Sequence, residues 1–175
     1  LQAAIDAAKA DETVTVLCDV ALSEGIVIAA DDKITLDVGT YTVSYNSDVP
    51  AEDMITNKGT LTINDSVGGG KITYTYTGAV GSNVTVSTIS TNPGSTLTVN
   101  GGKLTATGET GYKLAVYSYS YGDSLANVAI NVSGGEIDGD IALTGGKNKT
   151  DAEKVTITGG TITDIYSYAA DDVAE

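Results

Sequence analysis

The octet VTITGGTI at 155–162 is written three times with small changes: LTVNGGKL at 97–104 and INVSGGEI at 130–137 precede it. In each copy two apolar residues flank a polar one, a glycine pair follows, and another apolar residue closes the unit. Alternation with a period of two places the apolar residues on one face of a short strand. The glycine pair then turns the chain where a side chain would be awkward. Leu104, Ile137 and Ile162 each follow seven residues after the first apolar position and point inward again.

Two looser copies lie upstream. ITLDVGTY at 34–41 keeps the seven-residue offset from Ile34 to Tyr41, and LTINDSVGGGKI at 61–72 keeps both strands but inserts four residues at the turn. Starts at 34, 61, 97, 130 and 155 give spacings of 27, 36, 33 and 25 residues. A repeat of that length, variable only at its turns, is the signature of a solenoid. The copies alternate, so helical repeats are excluded, and no Leu/Asn ladder of a leucine-rich repeat is present. The expected fold is all-β: a right-handed parallel β-helix of about six coils. With strands ~4.8 Å apart it would make a rod roughly 25–30 Å long. Leu61, Leu97, Ile130 and Val155 should stack in one interior row, and Val99, Val132 and Ile157 in the next. Longer spacings place loops at corners, at 77–83 and 107–112.

Residues 1–12 read differently. Leu1, Ala4, Ile5 and Ala8 share a helical face, with Gln2, Asp6 and Lys9 opposite. A short amphipathic helix there would cap the open first coil and cover its strand edges. Residues 13–175 would then form the β-helix. Beginning at Leu1, the sequence is expected to be part of a longer chain.

Composition agrees with a β solenoid. Val, Ile, Thr and ten Tyr suit pleated strands, and 21 Gly supply turns. The net charge of −14 repels phosphate backbones and anionic headgroups, so neither nucleic acid nor membrane is expected as a partner. Residues 1–53 carry eleven acids against Lys9 and Lys33, and residues 136–175 carry nine against three Lys, while the middle is near neutral. Cys18 lies in the apolar run VTVLCDVAL and reads as a small buried hydrophobe.

The order LQAAIDAAKADETVTVLCDVALSEGIVI, KITLDVGTYTV, ITNKGTLTINDSVGGGKI and then the glycine octets resembles the right-handed β-helix repeats of the pectate-lyase-like superfamily. More narrowly, it is similar to versions in surface proteins of gut Firmicutes and in head-fibre or decoration proteins of their phages. The resemblance implies a location on an extracellular surface, virion exterior or bacterial cell surface. The partners it implies are a host-surface or mucus glycan, or a capsid or cell-wall protein, and a homotrimer is the assembly a fibre would bring.

The superfamily also contains polysaccharide lyases and hydrolases. Its lyases use an Arg or Lys base beside calcium-binding Asp residues, and its hydrolases use Asp with His- and Arg-containing motifs. This chain has no His, and all nine of its cations are Lys. The hydrolase motifs are therefore missing, and a lyase would rest on Lys alone. Asp31-Asp32 and Asp171-Asp172 are the remaining candidate carboxylate pairs, and both fall at expected turns or ends. Asp138 and Asp140 in GGEIDGD offer two carboxylates where calcium takes six to eight oxygens. No catalytic residue, metal or cofactor is assigned.

The tyrosines carry the remaining signal. In LAVYSYSYG, Leu114 and Val116 set the inward phase and place Tyr117, Tyr119 and Tyr121 outward. In DIYSYAA, Ile165 inward places Tyr166 and Tyr168 outward. The intervening coil aligns Ala142 and Thr144 at the matching outward sites. Such a face can stack on sugar rings or anchor a protein; the same residues also serve simply as strand formers on a surface. Tyr74 and Tyr76 share the phase of Ile72 and point inward. The functional expectation is a non-enzymatic display element, a virion head-fibre or capsid decoration protein mediating attachment. A cell-surface adhesin or carbohydrate-binding module, and a lyase- or hydrolase-like enzyme, are the alternatives.

Overall fold

The structure, a computed structural model, describes residues 1–8, 10–79, 86–108, 114–119, 128–145 and 154–169. A helix, α1 (Gln2–Ala7), opens the chain. The first turn of the solenoid follows as β1 (Glu12–Thr15), β2 (Val20–Leu22) and β3 (Ile26–Ile28). The second is β4 (Lys33–Asp37), β5 (Thr42–Ser47) and β6 (Ile55–Asn57), and the third β7 (Thr60–Asn64), β8 (Lys71–Tyr76) and β9 (Ser87–Thr91). The fourth is β10 (Thr96–Val99), β11 (Lys103–Gly108) and β12 (Leu114–Tyr119). Two rungs of two strands each complete the described chain: β13 (Ala129–Val132) with β14 (Glu136–Gly145), then β15 (Lys154–Ile157) with β16 (Thr161–Ala169). The chain is thus a parallel β-solenoid of about four complete three-stranded turns, extended by two simpler rungs rather than by two more equal coils.

The first wall runs β1-β4-β7-β10-β13-β15. Its register carries the interior rows read from the octets: Ile34, Leu61, Leu97, Ile130 and Val155 are successive partners. Leu36, Ile63, Val99, Val132 and Ile157 form the second row. Central members of both rows are fully buried, whereas Ile157 on the last rung is 47% exposed because nothing described stacks beyond it. The glycine pair turns this wall into the second, and Gly135 adopts φ +79°.

The second wall is β2-β5-β8-β11 and the third is β3-β6-β9-β12. They meet at β14, whose first half pairs with β11 (Ile137 with Leu104) and whose second half pairs with β12 (Ala142 with Tyr117). One ten-residue strand therefore spans a corner that the earlier turns cross with connecting residues.

The opening helix covers the first turn. Ile5 is buried in the core, with Leu1 and Ala8 packed beside it. Gln2 reaches β3 with its side-chain amide, donating to Val27 O at 3.0 Å and accepting from Val27 N at 2.7 Å. No helix among the described residues is long and apolar enough to cross a membrane.

One reading is corrected. Cys18 is exposed, and Leu17 beside it is 78% exposed. The run VTVLCDVAL is not one strand: β1 ends at Thr15, Val16 still packs inward, and Leu17 and Cys18 lie outside on the turn before β2.

Candidate functional site

The third wall places the tyrosines named from sequence. Ile89 of β9, Val116 of β12, Ile141 of β14 and Ile165 of β16 are successive register partners, and the first three are fully buried. They set the inward phase. One residue on, Ser90, Tyr117, Ala142 and Tyr166 form the neighbouring row, and Tyr119, Thr144 and Tyr168 align two residues further. The expected alternation of tyrosine, small residue, tyrosine is present in the register. Tyr117 is half-buried, and the small residues on either side of it, Ser90 and Ala142, are buried at 5% and 0% exposure. A phenol ring is longer than one strand spacing, so a ring lying along the row can shield such neighbours. The backbones of Tyr119, Tyr166 and Tyr168 are in strands; their side chains, and Tyr121 entirely, lie outside what is described.

Three other tyrosines belong to the interior. Tyr45 and Tyr74 are successive partners on the second wall and stack with ring centroids 5.7 Å apart. The Tyr74 hydroxyl donates to Glu52 O at 3.0 Å, and the Tyr76 hydroxyl donates to Ala79 O at 3.3 Å. Buried phenols need such acceptors, and burial pushes the Tyr74 hydroxyl well above the usual phenol range. The inward phase of Tyr74 and Tyr76 is the one read from Ile72; Tyr45 carries the same signal through Val43.

An acidic pair absent from the sequence reading lies against this stack. The Glu52 carboxylate accepts from the Ser47 hydroxyl. Asp53 accepts from Ser87 N at 2.9 Å and from Ser87 Oγ at 2.7 Å. Burial pushes the Asp53 carboxyl up, and the hydrogen bonds from Ser87 and Ser90 oppose that shift. A shallow recess lined by Glu24, Gly25, Glu52, Asp53 and Thr56 opens beside them. All available signals were local polarity, so nothing in the sequence brought Asp53 to Ser87, 34 positions away.

The carboxylates that sequence singled out for chemistry separate. Asp31 and Asp32 sit in the turn between β3 and β4, where Asp32 Oδ2 accepts from Ala29 N at 2.9 Å. That is a turn contact. Asp171 and Asp172 lie outside the described residues. Asp138 pairs with Lys103 Nζ at 2.8 Å, and the same ammonium holds Glu136 at 3.0 Å. Those two acids push the Lys103 ammonium up, Asp138 most.

Asp140 lies where β14 leaves β11 to join β12. The fork opens a cleft lined by Thr105, Thr107, Asp138, Gly139, Asp140 and Thr163. Partial burial pushes the Asp140 carboxyl up, and the neighbouring Asp164 adds to the shift. Among the described residues no group of three or more His, Cys, Asp or Glu side chains is placed to hold a metal ion.

No family model matches the chain, and neither a curated protein nor a solved structure does.

Proposed function

We propose that this solenoid is a non-enzymatic attachment element displayed on an extracellular surface, which binds a glycan chain along the tyrosine row of its third wall. The register of that wall carries the reading. Tyr117 and Tyr166 are separated by two strand spacings, about 9.6 Å, along the solenoid axis. That distance is comparable with the length of a disaccharide. Tyr117 and Tyr119 are two residues apart on one strand, about 6.7 Å. In the register a small residue, Ala142, stands between Tyr117 and Tyr166, and aromatic rings suit the apolar faces of sugar rings.

The non-enzymatic part is supported by what the described carboxylates contact. Asp32 is tied to a turn and Asp138 to Lys103. The likeness of the ordered segments to head-fibre and decoration proteins favours the exterior of a virion over a cell wall; a capsid or cell-wall protein is the alternative occupant of the face.

Binding to mucin-type, capsular and pectic polysaccharides tests the reading. The native protein should bind at least one, and Tyr117→Ala and Tyr166→Ala should each weaken binding by about 1–2 kcal/mol, the scale of losing an interface aromatic. No reducing ends or unsaturated products should appear, with or without Ca²⁺. Binding that ignores both substitutions removes the tyrosine face from the function. Product release abolished by Asp31→Asn with Asp32→Asn overturns the non-enzymatic reading.

A further inference from the structure

We propose that Asp140 and Asp164 form a proton-operated latch, which fixes the last described rung of the solenoid, and with it the strand that carries Tyr166 and Tyr168, when the surroundings turn acidic. That this regulates attachment rests on the function proposed above; the latch itself does not.

The geometry comes from a bulge. β14 and β16 pair with Ile137 opposite Ile162, and then with Asp140 opposite Asp164. Two residues of β14, Asp138 and Gly139, therefore stand against one of β16, Thr163. Gly139 takes the bulge conformation with φ +146°. Thr163 clamps it: its Oγ1 accepts from Gly139 N at 3.2 Å and donates to Ile137 O at 3.2 Å. Without the extra residue, Asp164 would face Gly139. The bulge is what sets one carboxylate directly opposite another.

Like charges at directly opposed positions destabilise a strand pair. Among the described residues, the strands packed on β14 bring no unshared cation to this pair, and Asp164 Oδ1 accepts from Ile165 N at 2.8 Å. From β11 comes Lys103, held between Glu136 and Asp138. β12 (LAVYSY) contributes no Asp, Glu or Lys, and β16 (TITDIYSYA) contributes Asp164 alone. A proton on Asp140 removes the repulsion between the two strands.

The position makes a small term matter. Among the described residues β16 pairs with β14 alone. Its Ile165 is 37% exposed where the same row elsewhere is sealed. Strands with few sealed apolar contacts open locally at lower cost than the core, so the balance at one pair shifts their population. β16 also carries Tyr166 and Tyr168.

The sign follows from the raised carboxyl of Asp140. A carboxyl whose pKa is higher in the folded rung than in the free chain binds its proton more tightly when folded. Its contribution is complete below the ordinary value of 3.8 and is lost as the pH rises through the raised value. The last rung is therefore tightest in acid and loosest at neutral pH.

Amide hydrogen exchange over residues 161–169, as protection factors corrected for intrinsic rates, reads the latch without any ligand. Strands β7 and β10 serve as the internal reference. From about pH 7 to about pH 3.5, below the ordinary carboxyl value, protection of β16 should rise about two- to fivefold relative to them. Asp140→Asn should hold the acid-state protection at both pH values, and Asp164→Asn should reduce the rise, leaving the part that burial of Asp140 causes. A β16 that shows no relative rise, or a rise retained in full by both variants, overturns the proposal. If the latch reads as expected and no glycan binds at either pH, the attachment function fails and the latch stands.

Discussion

The side-chain amide of Gln2 holds both backbone groups of Val27, donating at 3.0 Å and accepting at 2.7 Å. It completes, with one residue, the hydrogen bonds that a further strand would have made to β3. Gln2 Nε2 also donates to Asp6 Oδ1 at 2.6 Å, which fixes the amide within α1. Gln2→Ala should cost about 0.5–1.5 kcal/mol, the net scale of such bonds. The Val27 amide should exchange faster than Ile28 beside it. An unchanged melting temperature and unchanged Val27 exchange would show that the helix caps by packing alone.

Val132 and Thr156 are on adjacent strands of the first wall, in opposite phases. Val132 is 1% exposed and lies in the row between Val99 and Ile157. Val132→Asp places an unpaired carboxylate in that row and should cost several kcal/mol. Thr156→Asp, on the outer phase, should change stability by less than about 0.5 kcal/mol. Equal thermal midpoints for the two variants would contradict the assignment of inside and outside.

Gly135 and Gly69 both have left-handed φ, +79° and +94°. They differ in what a methyl group would meet. At Gly135 a Cβ would stand 2.5 Å from Gly102 O of the preceding turn, whereas at Gly69 nothing lies within 4 Å. Gly69→Ala should therefore cost only the backbone strain, about 1 kcal/mol. Gly135→Ala should cost clearly more, because two turns must also move apart. A thermal melt of both variants decides; equal losses would mean that turn spacing does not limit this corner.

Asp37 gathers three donors: Ser66 Oγ at 2.6 Å, Ser66 N at 3.0 Å and Gly39 N at 3.2 Å. The Ser66 hydroxyl, most of all, holds its carboxyl below the usual aspartate range. A lowered pKa contributes stability that is present above the unfolded value of 3.8 and disappears as pH falls through the lowered folded value. Ser66→Ala should cost about 0.5–1 kcal/mol at neutral pH, kept small because water competes at this partly exposed site. The difference from the native protein should shrink in strong acid, in pH-dependent denaturation. A difference that persists there would assign the loss to packing.

The legibility of the fold followed the physics of each wall. From β4 onward every inward position of the first wall is apolar, so alternation alone exposed the rows from Ile34 to Val155. The third wall hides its inward phase behind polar residues. Asn57, Thr91 and Ser118 are successive partners and all fully buried. Asn57 Nδ2 donates to Thr96 O and its Oδ1 accepts from Gly59 N, so its burial is offset by backbone contacts far along the chain. Hydropathy cannot register that. Cys18 was misread for the opposite reason: an unbroken apolar run conceals a corner when the corner residues are themselves apolar. The fused strand β14 was hidden by Gly139, which reads as a turn and acts as a bulge. Of the candidate site, the tyrosine spacing was legible because strand alternation fixes it. The pairing of Asp140 with Asp164 was not, since it depends on one extra residue in one of two strands.

A strand that rounds a corner without a loop acts as a gusset. β14 is hydrogen-bonded to β11 on one wall and to β12 on the next, so a twisting load on the last rung passes between walls through covalent backbone. In the four turns before it the second and third walls are separate strands joined through connecting residues. Torsion between these walls is therefore carried by one continuous backbone at β14, while β16, with Tyr166 and Tyr168, follows through its pairing with β14.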